Sequence, residues 1–226
     1  GVGRAVHSAI SATRQSVTSN TNLGMVLLIA PLAAVPRSEL LTPTSVGAVL
    51  SSLTADDSRL VYEAIRLAKP GGLGKVESMD VTQLPPADLL TAMQAAQERD
   101  LVARQYATDF RLVLEETLPA VITARQRGWS LTDGIIHTHL GLLAKHGDSL
   151  IARKCGTELA AQVQVAAAQV ASSGEPGDDV YYAALADFDF WLRSDGNRRN
   201  PGTTADVIAA ALFAGLRDSR ILPPWR

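Results

Sequence analysis

The segment Asn200-Pro201-Gly202-Thr203-Thr204-Ala205-Asp206 opens an apolar helical stretch with more polar chemistry than a helix start requires. Asn20-Thr21-Asn22-Leu23-Gly24 and Gly147-Asp148-Ser149-Leu150-Ile151-Ala152-Arg153-Lys154 open two others in the same way. Each sets carboxylate or amide side chains at a helix N-terminus, where unpaired N–H groups and the positive end of the dipole favour anions. The third adds two cations a turn further on. This combination suits a polyphosphate. Asp148 and Arg153 could divide a metal–phosphate unit between them, carboxylate to Mg²⁺ and guanidinium to oxygen. Plainer readings stand beside these. Thr203 and Asp206 have the spacing of a capping box, Asn20, Thr21 and Asn22 could simply cap, and Arg153 and Lys154 could form a solvated face.

Other polar groups carry weaker signals. Gly71-Gly72-Leu73-Gly74-Lys75 looks like a phosphate loop but fails the G-x-x-x-x-G-K-[ST] pattern, with Lys69 at the first glycine position and Val76 at the last position. Lys75, Glu77 and Asp80 remain candidates because a glycine-rich loop can close over a ligand. His137, His139 and His146 share one helical segment, yet residues two apart on a helix face nearly opposite ways. His137 and His139 therefore cannot share an ion there, and a structural role is expected. Arg99, Asp100, Arg104, Tyr106 and Asp109 make a polar stripe in which Asp100 and Arg104 are an i,i+4 pair.

The elements that must hold these groups are helices. Apolar residues recur at helical spacing through most of the chain, and no run of alternating β-branched residues occurs. The pattern predicts an all-α fold, a single compact multi-helix bundle over residues 1–226, with helices near 3–18, 22–35, 43–53, 56–69, 86–95, 97–116, 118–127, 130–146, 149–172, 178–194 and 203–219. Thr42, Thr54 and Ser130 are expected as N-caps, and Gly128 and Gly147 as helix ends. The stretch Leu23 to Ile29 is apolar almost all round, which predicts a buried helix holding its N-terminus rigidly.

Composition bounds the partners. At 226 residues and 46% hydrophobic the chain can bury a sizeable core. A formal net charge of −2 gives no attraction to nucleic acid. Cys155 is the only cysteine, which excludes an intrachain disulfide and fits a cytoplasmic, reducing setting. No apolar run is long enough to span a bilayer, so no membrane partner is expected, while an alanine-rich helical surface allows a homodimer. The chain opens at Gly1, already in an amphipathic pattern (Val2, Val6, Ile10), which predicts a segment upstream.

Taken in order, Asn20-Thr21-Asn22-Leu23-Gly24, Arg99-Asp100-Leu101-Val102-Ala103, Asp148 to Lys154 and Asn200 to Asp206 resemble the triphosphoribosyl-dephospho-CoA synthase family. The resemblance implies an all-α transferase that uses Mg²⁺ and ATP, moves the triphosphoribosyl unit to a ribose hydroxyl of 3′-dephospho-CoA, and releases adenine. It is displacement at an anomeric carbon, so an oxocarbenium-like transition state is expected. On that resemblance Asp148 and Asp206 would serve Mg²⁺ or the ribose hydroxyls. Arg153, Lys154 and Lys75 would hold the triphosphate, and Asn20, Thr21, Asn22, Asn200, Gly202 and Thr203 would supply hydrogen bonds. One carboxylate would act as general base and an acid or hydrogen-bond donor would assist adenine departure, with Asp148, Asp206 and Glu77 as the catalytic candidates and Asp80 an alternative to Glu77. The family's Lys-Pro-Gly element would lie before Gly1, and its Arg-Gly-Glu element finds its nearest counterpart in residues 74–80. Alternatives are a related ribosyl transfer to another acceptor in cofactor biosynthesis, a non-catalytic nucleotide-binding helical module, and an all-α pyrophosphohydrolase, which would need a paired acidic motif.

Overall fold

A computed structural model describes residues 1–17, 22–69 and 86–223. Among these residues the chain is all-α, with twelve α-helices, one π-helical turn and no strand. In order they are α1 (Val2–Ser16), α2 (Leu23–Ala34), α3 (Pro43–Ser51), α4 (Ala55–Ala68), α5 (Leu89–Ala96), α6 (Leu101–Ala107), the π turn (Leu112–Thr117), α7 (Leu118–Gln126), α8 (Leu131–His146), α9 (Ser149–Cys155), α10 (Thr157–Ser172), α11 (Asp179–Arg193) and α12 (Gly202–Arg217). None is long and apolar enough to cross a membrane. The chain divides into two compact units, Gly1–Leu114 and Glu115–Arg226.

All eleven expected helices are present, and two are interrupted. The 97–116 segment breaks after α6, where Asp109 and Phe110 adopt left-handed backbone (φ 52 and 62). The Phe110 N–H then reaches back five residues to the Gln105 carbonyl at 2.8 Å. Phe110 is fully buried against Tyr106, with ring centroids 5.6 Å apart. Tertiary burial of this ring overrides a pattern that reads as continuous helix. The 149–172 segment breaks at Gly156, whose φ of 91 is open to glycine and strained for other residues. Thr42, Thr54 and Ser130 cap α3, α4 and α8 as expected, each accepting from the amide three residues on.

In the first unit α1 packs along α4 so closely that a Cβ on Gly3 would meet the Asp57 Cα at 2.5 Å. The Gly3 N–H donates to Asp57 Oδ1 at 2.7 Å, and the other carboxylate oxygen accepts from Thr54. Burial raises the Asp57 pKa, but the donors of Thr54 and Gly3 outweigh it and hold the carboxyl below its usual range.

Helix α2 is buried along one side by Leu23, Leu27, Leu28 and Leu32 and half-buried along the other. It contains Pro31, which has no N–H to offer the carbonyl four residues back, that of Leu27. The hydroxyl of Tyr106 on α6 donates to that carbonyl at 2.7 Å. Tyr106 is 1% exposed and sits in the core with Leu101, Val102 and Phe110. Burial pushes its phenol pKa upward, so it remains a donor.

Tyr106→Phe leaves the Leu27 carbonyl buried and unpaired, and is expected to cost about 1–3 kcal/mol of stability. In a Pro31→Ala background the restored N–H can serve that carbonyl, so the same change should cost clearly less. Urea unfolding of the four proteins in this cycle checks the coupling, and equal costs in both backgrounds would contradict it.

Candidate active site

The second unit is organised around α8, which packs on α7, α10 and α12. Leu140, Leu143, Ile151, Val163, Ala167, Val170, Tyr181 and Phe188 form one of its cores. On the buried side of α12, Gly215 leaves room for Ile221 and Leu118, whose atoms would lie 2.5 Å and 2.9 Å from an added Cβ. The start of α12 lies beside the start of α9.

The two starts meet at Asp148. The side chain is 3% exposed and both oxygens are used. Oδ1 accepts from the amides of Leu150 at 2.9 Å and Ile151 at 3.1 Å, capping its own helix α9. Oδ2 accepts from the Thr204 amide at 2.8 Å and the Thr204 hydroxyl at 2.9 Å, capping α12 across the fold. The Ser149 hydroxyl donates to Thr203 Oγ1 at 3.2 Å, a second tie between the helices. Gly202 allows this approach, because a Cβ there would lie 2.7 Å from Leu150.

The Thr203–Asp206 capping box is not formed. Helix α12 begins at Gly202 with Pro201 before it, and no side chain of the preceding residue caps it. Thr203 lies inside the first turn, so its hydroxyl is not at the cap position, and Asp148 does that work from another helix. The Gly202 amide is turned to the Asn200 carbonyl at 2.9 Å. Two of the first three amides of α12, those of Gly202 and Thr204, are therefore engaged within the protein. What α12 offers a ligand is its positive end, the Thr203 position and the carboxylate of half-buried Asp206.

Arg153 is half-buried on α9 and Lys154 is exposed. The turn before α12 meets the end of α9, where the Cys155 thiol lies 3.5 Å from the Arg198 carbonyl. Asn200 is exposed on that turn. In the first unit Asn22 ties α2 to α1, its amide donating to Thr13 Oγ1 at 2.9 Å. Asn20, Thr21, Lys75, Glu77 and Asp80 lie outside the described residues.

His139 is a neighbour of Asp148 that helical spacing did not single out. Its Nε2 lies 2.8 Å from Thr204 Oγ1. Burial lowers its pKa, opposed by the nearby Asp148 charge and the Pro201 carbonyl. His137 faces elsewhere, packed edge-on to Trp129 at 4.9 Å, and His146 pairs with Glu116 at 2.9 Å. The separate directions expected for His137 and His139 are thus observed. His139, Asn200 and Pro201 also line a cleft of about 530 Å³ between α8 and α11, with an apolar floor including Ile136, Leu140 and Phe188.

The all-helical fold, with its paired polar helix starts, and the family model that runs along it define an all-α transferase. That model, described as ATP:dephospho-CoA triphosphoribosyl transferase, matches residues 1–222, and the chain belongs to this family. A solved structure from Archaeoglobus fulgidus, provisionally described as a triphosphoribosyl-dephospho-CoA synthase, has the same fold. The two superpose with a TM-score of 0.73 at 22% identity, covering 99% of this chain and 90% of that one. Comparison with curated proteins gives no significant match.

Asp148→Ala should orphan donors on both helices, at a cost of about 3 kcal/mol. Hydrogen exchange gives the sharper reading. Protection should fall at Thr204 as well as at Leu150 and Ile151, whereas loss confined to the last two would show that Asp148 caps α9 alone.

Proposed function

We propose that this chain moves the triphosphoribosyl group of ATP to a ribose hydroxyl of 3′-dephospho-CoA, releasing adenine, and that the joined starts of α9 and α12 hold the triphosphate. The observation that carries the reading is the bridge made by Asp148 in a chain of this family, which fixes two polar helix ends side by side. Arg153 and Lys154 supply cations to the phosphate oxygens. Thr203, Gly202 and Asn200 line the approach. Asp148 is assigned to positioning, because its four hydrogen bonds leave it poorly disposed to bind a metal.

Among the described residues no three His, Cys, Asp or Glu side chains converge to hold a metal ion alone. Mg²⁺ commonly takes one or two carboxylates together with phosphate oxygens and water. The half-buried carboxylate of Asp206 fits a Mg²⁺ that arrives on the triphosphate. When bound, the ion would neutralise phosphate charge. Asn20, Thr21, Asn22 and Lys75 are proposed as further contacts to the nucleotide, and Glu77 as the group assisting adenine departure. The family model runs through both compact units. A cytoplasmic setting is supported by the single cysteine and a homodimer by the alanine-rich surface of α10.

Incubation of the protein with Mg²⁺, ATP and dephospho-CoA should yield free adenine and one equivalent of a mass-shifted CoA product. ADP or AMP without adenine would reject the chemistry, and adenine appearing only with another acceptor would favour the related ribosyl transfer. Asp206→Asn should weaken Mg²⁺–ATP binding by about tenfold, the equivalent of one charge-assisted contact. Calorimetry would measure it, and unchanged affinity would remove Asp206 from the site.

A further inference from the structure

The reaction needs a group to take the proton of the attacking hydroxyl, and Asp148 is already saturated. Proton bookkeeping around Thr204 points elsewhere. Its hydroxyl has one hydrogen and three near oxygen or nitrogen neighbours: Asp148 Oδ2 at 2.9 Å, the Pro201 carbonyl at 3.1 Å and His139 Nε2 at 2.8 Å. The first two only accept, so the hydrogen goes to one of them, and the charged carboxylate is the stronger partner. Toward His139 the hydroxyl must then act as acceptor, which places a hydrogen on Nε2. In the neutral ring this leaves the lone pair on Nδ1.

His139 also forms part of the wall of the cleft between α8 and α11, whose volume of about 530 Å³ is that of a ligand site. The charged or titratable groups that line the cleft with it are Tyr182, Asp189 and Arg193 of α11, and Asp148 reaches it through Thr204. Asp189 and Arg193 pair with each other at 2.8 Å. The Asp148 charge and the Pro201 carbonyl both favour the imidazolium once it forms. Burial holds the resting ring neutral near pH 7, so it is ready to accept.

Building on the transferase reading, we propose that the cleft admits the acceptor and that His139 is its general base. Nδ1 takes the hydroxyl proton while the acceptor oxygen forms a bond to the anomeric carbon of ATP. The bond from that carbon to adenine breaks, its electron pair leaves with adenine, and adenine gains one proton as it departs. The proton on His139 returns to solvent, so the overall balance closes. Asp148 and Thr204 act as positioning residues that fix the ring's tautomer.

His139→Gln keeps a donor for Thr204 but has no basic nitrogen. It should lower kcat for adenine release by about 100-fold or more, with the KM for dephospho-CoA, ATP binding and the melting temperature little changed. Imidazole added to His139→Ala should restore part of the rate, as a merely structural histidine would not allow. The wild-type profile of kcat/KM gives a measurement independent of variant folding, and should decline on the acid side as one group protonates. Near-normal kcat in the glutamine variant, or a loss confined to KM, would overturn the assignment of His139 while leaving the transferase reading intact. No adenine from the wild-type protein would overturn both.

Discussion

One buried carboxylate joins the starts of two helices, and the rest of the candidate site depends on it. A helix N-terminus carries about half a positive charge, so the starts of α9 and α12 together present about one. The Asp148 carboxylate lies between them, and its two oxygens divide evenly between their amides. Two positive ends could not otherwise lie together out of water without repulsion. Ser149, Thr203, Thr204 and His139 then take up positions that follow from this contact.

The same local cap occurs in both units. Asp100-Leu101-Val102-Ala103 and Asp148-Ser149-Leu150-Ile151 both begin a seven-residue helix, and both aspartates use Oδ1 to accept from amides two and three residues on. Asp148 Oδ2 also reaches across 56 positions to Thr204. A cap in the ordinary sense is a local device that ends one element. Here the spare oxygen turns it into a joint between elements.

Local chemistry is what the sequence made legible. The helical periods, the caps at Thr42, Thr54 and Ser130, and the glycine ends at Gly128 and Gly147 all involve neighbours within a turn, and each is observed. Gly156 carried a readable signal for the α9–α10 break, since glycine inside a helical pattern often marks an end. The break at Phe110 had none, because it answers to burial of the ring against Tyr106. At the site, Asp148 was visible as a cap, but its second partner and the link to His139 lie at sequence distances of 56 and 65 residues, which no local pattern encodes.

The hydrogen bond from Tyr106 to Leu27 bears on how the first unit assembles. Pro31 gives α2 an opening in its hydrogen-bond ladder, and the group that closes it arrives 79 residues later in the chain. As the polypeptide emerges in order, α2 has its helical backbone incomplete until α6 has been made and docked. Completion of an early helix is thereby tied to a late one, which couples the order of synthesis to the cooperativity of folding.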